Sequence, residues 1–249
     1  MISFRNVSKT YAKELGQRAK TALSGVSFAL AAGETLGLVG ANGAGKSTSI
    51  KLLLDFIRPD QGEIRLLGSS PRDSRVRRRI GYLPETANFP PNLNVLDMLR
   101  FTGRTCNLSR AAIEAGAAKW LPRLGLWDDR QRPLRDYSKG MQQRANFAIA
   151  LLTEPELLIL DEPMSGLDPI GRAEMLALIG DLKLQGRSIL FCSHILEDVD
   201  RLADRVLVLH QSHKLFEGAP RQLCAQQEEA DFTGAYLALV RDQEAGHGV

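Results

Sequence analysis

The fold of this chain is decided by the stretch TLGLVGANGAGKS, residues 35–47. Its first part, Thr35–Val39, is short and apolar, and the glycine-rich segment that follows leads into a run with helical character. Gly40, Gly43 and Gly45 can adopt positive φ angles, so consecutive backbone amides can turn inward and surround an anion. The pattern GxxxxGK[ST] between a strand and a helix therefore predicts a phosphate-binding loop.

The loop also carries side chains suited to a polyphosphate. The positive end of the new helix attracts phosphate, the ammonium of Lys46 can reach the β- and γ-phosphates, and the hydroxyl of Ser47 can ligate Mg²⁺. The predicted nucleotide contacts are Gly40, Ala41, Asn42, Gly43, Ala44, Gly45, Lys46, Ser47 and Thr48. The alternative is a glycine-rich turn that contains Lys-Ser by chance.

A second motif ends in two carboxylates. The run Leu157–Leu160 is apolar without alternation, as in a strand covered on both faces, although four residues do not exclude a buried helix. Asp161 and Glu162 follow it, at the strand end where open α/β sheets bind ligands. Asp161 is placed to hold Mg²⁺ through water, and Glu162 to polarise an attacking water. An ordinary acidic strand exit is the alternative, but with the loop the motif indicates nucleoside triphosphate hydrolysis.

Short β-rich runs alternate with longer helical patterns along the chain, which favours an α/β fold with a mainly parallel sheet. The predicted strands are Ile2–Val7, Gly25–Ala29, Thr35–Val39, Ile80–Leu83, Leu157–Leu160, Ser188–Cys192 and Arg205–Leu209. Helices are predicted to begin near Lys46, Leu96, Arg110, Ser138, Ile170 and Leu196. Residues 86–150 lack strand signal and predict a helical insert, and residues 219–249 predict a short, acidic helical tail.

Composition sets broad limits. The chain has 249 residues, 44% of them hydrophobic and 24% charged, which excludes disordered and fibrous classes. Its net charge of +3 is too small to indicate nucleic acid or anionic lipid as a partner. Cys106, Cys192 and Cys224 form no CxxC pair and predict a reducing compartment. Apolar runs such as Phe147–Leu152 are too short to span a bilayer, and the N-terminus lacks the apolar core of a signal peptide.

Two further sequence patterns are explained by ordinary surface residues. The run from Arg72 to Arg79 contains five arginines and one acid, and it predicts a solvated helix face more than a site for phosphate or lipid headgroups. His210 and His213 have no carboxylate or thiolate near them in sequence, so we expect surface histidines and no metal held by them.

The segment Tyr137–Arg144, YSKGMQQR, resembles the signature of the ATP-binding subunits of ABC (ATP-binding cassette) transporters. The usual LSGGQ is altered at three positions, but Ser138 and Gly140 remain. In the family these residues hold the γ-phosphate of ATP bound to the opposite subunit. Alone, Ser138 would read as an N-cap residue before a helix. The resemblance covers residues 1 to about 218, which implies one P-loop NTPase cassette with an N-terminal antiparallel β part and the helical insert.

Other positions match the same family. Asp168 in Ser-Gly-Leu-Asp resembles the D-loop, although a turn before Asp-Pro gives the same pattern. His194 matches the switch histidine that reaches the γ-phosphate, where a structural histidine is the alternative. Tyr11 matches the aromatic residue that stacks on adenine, where an ordinary exposed tyrosine is the alternative. Glu85 stands where the family has the Q-loop glutamine; a carboxylate can contact Mg²⁺ or water but cannot donate as an amide does, so altered coupling is expected.

The resemblance implies an ATPase that uses ATP and Mg²⁺ and closes as a head-to-tail dimer with a second cassette, expected to be an identical copy. It further implies multi-span transmembrane permease subunits on a separate chain, a place on the cytoplasmic face of the cell membrane, and no nucleic acid. The motifs around Glu85 and Ser138 resemble those of bacterial export-type systems.

Two other functions remain open at this point. One is a soluble ABC-type ATPase that acts on a nucleic-acid or ribosomal partner; the stretch from Thr48 to Asp136 is too short for the long coiled coil of the repair members. The other is a non-hydrolysing regulatory cassette, which the intact Lys46, Asp161 and Glu162 make less attractive.

Overall fold

The structure is a computed structural model that describes residues 1–12, 19–86 and 88–246. The strands are β1 (Ile2–Tyr11), β2 (Lys20–Leu30), β3 (Thr35–Val39), β4 (Gln61–Leu66), β5 (Ile80–Leu83), β6 (Leu157–Asp161), β7 (Ser188–Cys192), β8 (Arg205–His210) and β9 (His213–Gly218). The helices are α1 (Lys46–Leu53), α2 (Ser74–Arg77), α3 (Val95–Thr105), α4 (Arg110–Arg123), α5 (Lys139–Leu151), α6 (Pro169–Leu184), α7 (Leu196–Leu202), α8 (Pro220–Gln227) and α9 (Phe232–Gly246). They form two compact units, Met1–Asp73 with Ser188–Val249, and Ser74–Arg187.

The first unit begins with an antiparallel sheet in the order β2-β1-β4. Inward-facing apolar residues alternate with exposed ones along β1, and Phe4 stacks on Phe28 of β2 with ring centroids 4.7 Å apart. The apolar side chains of β1 lie on one face of the sheet, as their period of two predicts. It confirms the predicted N-terminal antiparallel part.

The first unit also contains the strands that support the phosphate loop. β3 pairs in parallel with β7 and β8, and β8 pairs with β9 in an antiparallel hairpin. All five residues of β3 and of β7 are buried, as expected for strands covered on both faces. Arg205 at the start of β8 contacts Glu34 at 2.7 Å and also Glu217 of β9, which raises the pKa of Arg205.

The C-terminal part of the first unit is helical. α9 packs against α7 and α8, and the buried side chains of Leu223, Phe232 and Ala235 anchor it. Residues 247–249 of the predicted tail lie outside the described residues.

The second unit contains the helical insert. β5 and β6 pair in parallel, and α3, α4 and α5 contact one another, with α5 also packed on β5. Asn94 and Ser109 cap α3 and α4 by accepting hydrogen bonds from the first helical turn. Trp120 is the largest fully buried side chain of this unit. The run 157–160 is a buried strand, which settles the helix alternative.

The structure differs from the sequence predictions at two strands and one histidine. The sequence does not predict β4 and β9. In β4 the buried residues are Ile64 and Leu66, and in β9 the buried residue is Gly218. Strands with so few buried apolar residues give little periodic signal in the sequence. The prediction of a surface histidine at His210 is wrong: its place at the end of β8 leaves it 8% exposed, whereas His213 is exposed. The three cysteines are free thiols, and the part of the chain that the structure describes has no helix long and apolar enough to cross a membrane.

The arginine run forms an exposed helical turn, as the sequence predicts. α2 is a single exposed turn with Val76 as its buried residue. Arg79 forms a two-point ion pair with Glu156, with an Nη2–Oε2 distance of 2.7 Å. This hydrogen bonding raises the pKa of Arg79 and lowers the pKa of Glu156.

Candidate active site

The phosphate loop of the first unit is built from positions where only glycine fits. Gly43 and Gly45 have φ angles of 84° and 115°, which side chains disfavour. A Cβ on Gly40 would lie 2.3 Å from the carbonyl oxygen of Leu209, and one on Gly45 would lie 2.6 Å from that of Ala22. The neighbouring strands therefore approach the loop so closely that its backbone conformation is fixed.

Lys46 begins α1 directly after this loop. Its side chain is buried, and its ammonium donates hydrogen bonds to the carbonyl oxygens of Gly40 and, at 3.2 Å, Ala41. Gly45 precedes it as the N-cap residue with no side-chain cap, which leaves backbone amides at the helix start for a ligand. Ser47 is exposed next to it. The loop, the lysine and the helix start together form a site for phosphate groups.

Two other predicted residues of the first unit lie at strand ends. Tyr11 ends β1, is 37% exposed, and has its hydroxyl 3.4 Å from the hydroxyl of Thr48 in α1. His194 follows β7 and is exposed, in a turn where Ser193 accepts a hydrogen bond from the backbone amide of Ile195. The structure thus brings Tyr11 to the helix that the phosphate loop begins.

The two acidic residues of the second unit end β6. Asp161 is buried as its last residue, and Glu162 follows with a φ of 49°, a left-handed conformation that costs energy in a residue other than glycine. The carbonyl of Glu162 accepts a hydrogen bond from the amide of Ser165 at 3.0 Å. Strain of this kind persists where the surroundings enforce it, and functional sites concentrate it.

Gln143 hydrogen-bonds to this turn, and sequence reasoning missed it. Its side chain on α5 is buried, and its amide donates to the carbonyls of Glu162 at 3.4 Å and Pro163 at 3.0 Å. Asn146, on the same face of α5, donates to the carbonyl of Pro84, directly before Glu85. Because α5 also carries Lys139, Gln142 and Arg144, the local sequence gives no signal that singles out Gln143.

The predicted signature and D-loop residues begin helices of the second unit. Ser138 caps α5 by accepting from Met141 at 3.2 Å, and Asp168 caps α6 by accepting from Gly171 at 2.8 Å. The N-cap alternative for Ser138 is therefore true of this chain. Tyr137 before it is buried and donates to the carbonyl of Asp129, and burial raises its pKa.

Gly140 differs from the loop glycines. A Cβ at this position would meet its nearest neighbour, Leu167, at an ordinary 3.5 Å, so neither packing nor backbone angle in this unit demands glycine there. Glu85 is exposed in the segment after β5. Both positions are open to contact from outside the unit's own core.

The donor set suits Mg²⁺. Among the described residues, no cluster of three or more His, Cys, Asp or Glu side chains could hold a metal alone. Mg²⁺ uses one or two protein oxygens and fills its other positions with phosphate and water. In the first unit the hydroxyl of Ser47, and in the second unit the carboxylates of Asp161 and Glu85, are oxygen donors of this kind.

Comparison with known proteins supplies the family. The sequence pattern described as ABC transporter matches residues 23–165, from β2 to the turn after Glu162. The chain belongs to the ABC transporter family. An ABC transporter ATP-binding protein of Synechocystis is 38% identical over 97% of this chain and 72% of the relative. Nod factor export ATP-binding protein I of Burkholderia orbicola is 36% identical over 97% of this chain and 79% of the relative.

A solved structure supports the same assignment. The ATP-binding subunit of an ABC transporter superposes with a TM-score of 0.86 at 30% identity, over 96% of this chain and 99% of that one. The fold class predicted from the sequence, an α/β P-loop fold with an antiparallel N-terminal sheet, is confirmed.

Proposed function

We propose that this chain is the subunit that binds and hydrolyses ATP to power an ABC exporter. The observation that carries the proposal is the phosphate loop, where close strands enforce Gly40 and Gly45 and the buried Lys46 lies at the helix start. Within the described residues the hydrogen bonds of this buried ammonium go to loop carbonyls, so it gains strongly from an anion. Residues 1–218 would form the cassette, with 86–150 as its helical subdomain and 219–249 as a tail.

In the proposed reaction, each residue has a role that its environment supports. Lys46 and the amides of residues 40–48 bind the phosphates and balance charge as the γ-phosphate is transferred to water. Glu162 accepts the proton of the attacking water, and Gln143 holds its backbone for that task. His194 contacts the γ-phosphate, and Tyr11 stacks on adenine.

Mg²⁺, when bound with ATP, neutralises phosphate charge. We assign Ser47 and Asp161 to it, with Glu85 as a further oxygen that contacts the metal or its water. Because a carboxylate at Glu85 cannot donate a hydrogen bond as an amide would, we expect a different coupling to the partner rather than loss of hydrolysis.

A second copy of this chain is proposed to complete the site. Gly140 is free of any packing demand in its own unit, and the start of α5 offers backbone amides beside it. Both properties suit close approach of the γ-phosphate of ATP bound to the other copy. Asp168 at the start of α6 is assigned to the interface between the two cassettes.

The export direction rests on the relatives. Nod factor export ATP-binding protein I carries its function in its name and matches nearly the whole of this chain. We therefore propose that the partner is a multi-span permease on a separate chain and that this subunit lies on the cytoplasmic face of the membrane.

The test of ATP hydrolysis compares purified wild-type protein with Lys46→Ala and Glu162→Gln. Phosphate release that both variants lose, with ATP binding retained by Glu162→Gln, supports the assignment. Release that continues undiminished in Glu162→Gln would falsify the role of that carboxylate.

The test of transport is co-purification. Retention of a polytopic membrane protein on the tagged chain supports the exporter proposal. Retention of nucleic acid that salt removes would favour an ATPase with a nucleic-acid or ribosomal partner instead.

A further inference from the structure

A second lysine lies beside the phosphate loop. Lys20 is the first residue of β2, and its Nζ is 3.6 Å from the point that a Cβ on Gly43 would occupy. Gly43 is the middle glycine of the loop, and like the loop's Ala41 and Asn42 it is exposed. The ammonium of Lys20 is therefore at the open part of the loop, whereas that of Lys46 is buried at its base.

Contacts of the neighbouring residues fix the backbone at Lys20. Two residues after Lys20, the carbonyl of Ala22 and the side chain of Leu23 press against Gly45 so closely that a Cβ would lie 2.6 Å from each. Across the sheet, Lys20 pairs with Tyr11, whose hydroxyl is 3.4 Å from that of Thr48. The ends of β1 and β2 thus meet the loop and its helix at two points, and Lys20 stands between them.

The protein makes no evident structural use of this charge. Lys20 is exposed and, among residues 1–12, 19–86 and 88–246, it has neither an ion pair nor a side-chain hydrogen bond. By contrast, two other described lysines of the first unit form ion pairs: Lys9 contacts Asp60, and Lys214 contacts Glu217. An ammonium without a partner at the open part of a phosphate loop is available to an anion that the loop binds.

We propose that Lys20 is a phosphate-binding residue of this site, a second cation that contacts the polyphosphate of ATP from the open side of the loop. The inference rests on the proposed function, since it names a further contact for the same nucleotide. An exposed charge contact of this kind changes affinity by about three- to ten-fold. Lys20 would raise affinity for ATP and ADP without taking part in the chemical step.

The experiment measures binding of ATP, ADP and adenosine by calorimetry to wild-type protein and to Lys20→Ala, Lys20→Arg and Lys46→Ala. Lys119→Ala is the matched control; it removes a surface lysine from the second unit, and its partner Glu154 keeps Arg187 at 2.8 Å. We expect about three- to ten-fold weaker ATP binding in Lys20→Ala, recovery in Lys20→Arg, and less than about two-fold change in Lys119→Ala.

Salt dependence and adenosine binding distinguish a charge contact of Lys20 from a structural effect on the pocket. Because a solvated contact is screened, the ratio between wild type and Lys20→Ala should shrink as NaCl rises from about 50 to about 500 mM. Equal ATP affinity in Lys20→Ala and wild type overturns the inference. So does an equal loss for adenosine and ATP, which would indicate a structural effect on the pocket.

The same experiment distinguishes failure of the proposed function from failure of the proposed role of Lys20. If the wild-type chain binds no ATP, or if Lys46→Ala binds ATP as well as wild type, the loop is not a nucleotide site and both proposals fall. If Lys46→Ala loses ATP while Lys20→Ala keeps it, only the role of Lys20 is wrong.

Discussion

The replacement Gln143→Leu tests whether α5 holds the turn that carries Glu162. Leucine keeps most of the side-chain volume but removes the amide that donates to the carbonyls of Glu162 and Pro163. Each lost hydrogen bond costs about 1 kcal/mol, and a buried carbonyl left without a donor adds about 1–3 kcal/mol. The better burial of leucine offsets part of this, so we expect a net loss of about 2 kcal/mol.

Two measurements test the effect of Gln143→Leu, one on stability and one on turnover. For a chain of this size, about 2 kcal/mol lowers the melting temperature by roughly 4–8 °C. Because the left-handed φ of Glu162 depends on the same hydrogen bonds, its carboxylate should also lose its position. A displacement of about 1 Å at a catalytic group costs up to about 100-fold in turnover, so we expect a 10- to 100-fold lower kcat with nearly unchanged ATP affinity.

Ile113→Val is the matched control for stability. This buried residue of α4 lies in the same unit, and removal of one methylene costs about 1 kcal/mol without touching the turn. Its turnover well below its melting temperature should equal that of wild type. If Gln143→Leu is destabilised as calculated but turns over ATP at the rate of Ile113→Val, the structural link between α5 and Glu162 is refuted.

Glu162→Gln should bind ATP, lose hydrolysis and accumulate as a dimer, which light scattering with and without ATP will show; a monomer with bound ATP contradicts it. Gly45→Ala should abolish ATP binding, because its Cβ would lie 2.6 Å from a carbonyl oxygen, whereas Gly180→Ala, with open space around it in α6, should stabilise by about 0.5–1 kcal/mol in thermal melts. Because the pKa of Glu156 is lowered in the folded state, its pairing with Arg79 stabilises above the unfolded pKa and is lost as pH falls through the folded pKa. The melting temperatures of Glu156→Gln and wild type should therefore converge in acid, and a gap that stays constant contradicts the pairing.

The parts of the fold that the sequence predicted have strong local signals. The apolar runs of β3 and β6 are buried throughout, and in each case a motif with known geometry follows the run. Helix starts were predicted because Ser109, Ser138 and Asp168 are N-cap residues by chemistry as well as by pattern.

What the sequence could not predict depends on contacts between distant residues. The role of Gln143 arises from a hydrogen bond to a turn 19 positions away, and nothing in the local pattern distinguishes it from the exposed glutamines of other helices. The sequence has no carboxylate or thiolate near His210 and so predicts a surface histidine, whereas α9 brings Glu244 to within 3.9 Å of it. The position of Lys20 over the loop likewise depends on strand register, which periodicity alone does not give.

The paired amides of α5 have a mechanical consequence. Gln143 and Asn146 hold the chain just after β6 and just after β5, respectively, from one rigid helical face. Any displacement of the segment bearing Glu85 must therefore either break a hydrogen bond or rotate the whole helix, and a rotation would pull on the turn of Glu162 at the same time. We therefore expect the segments after β5 and β6 to move together, so that a displacement at Glu85 is transmitted through α5 to Glu162.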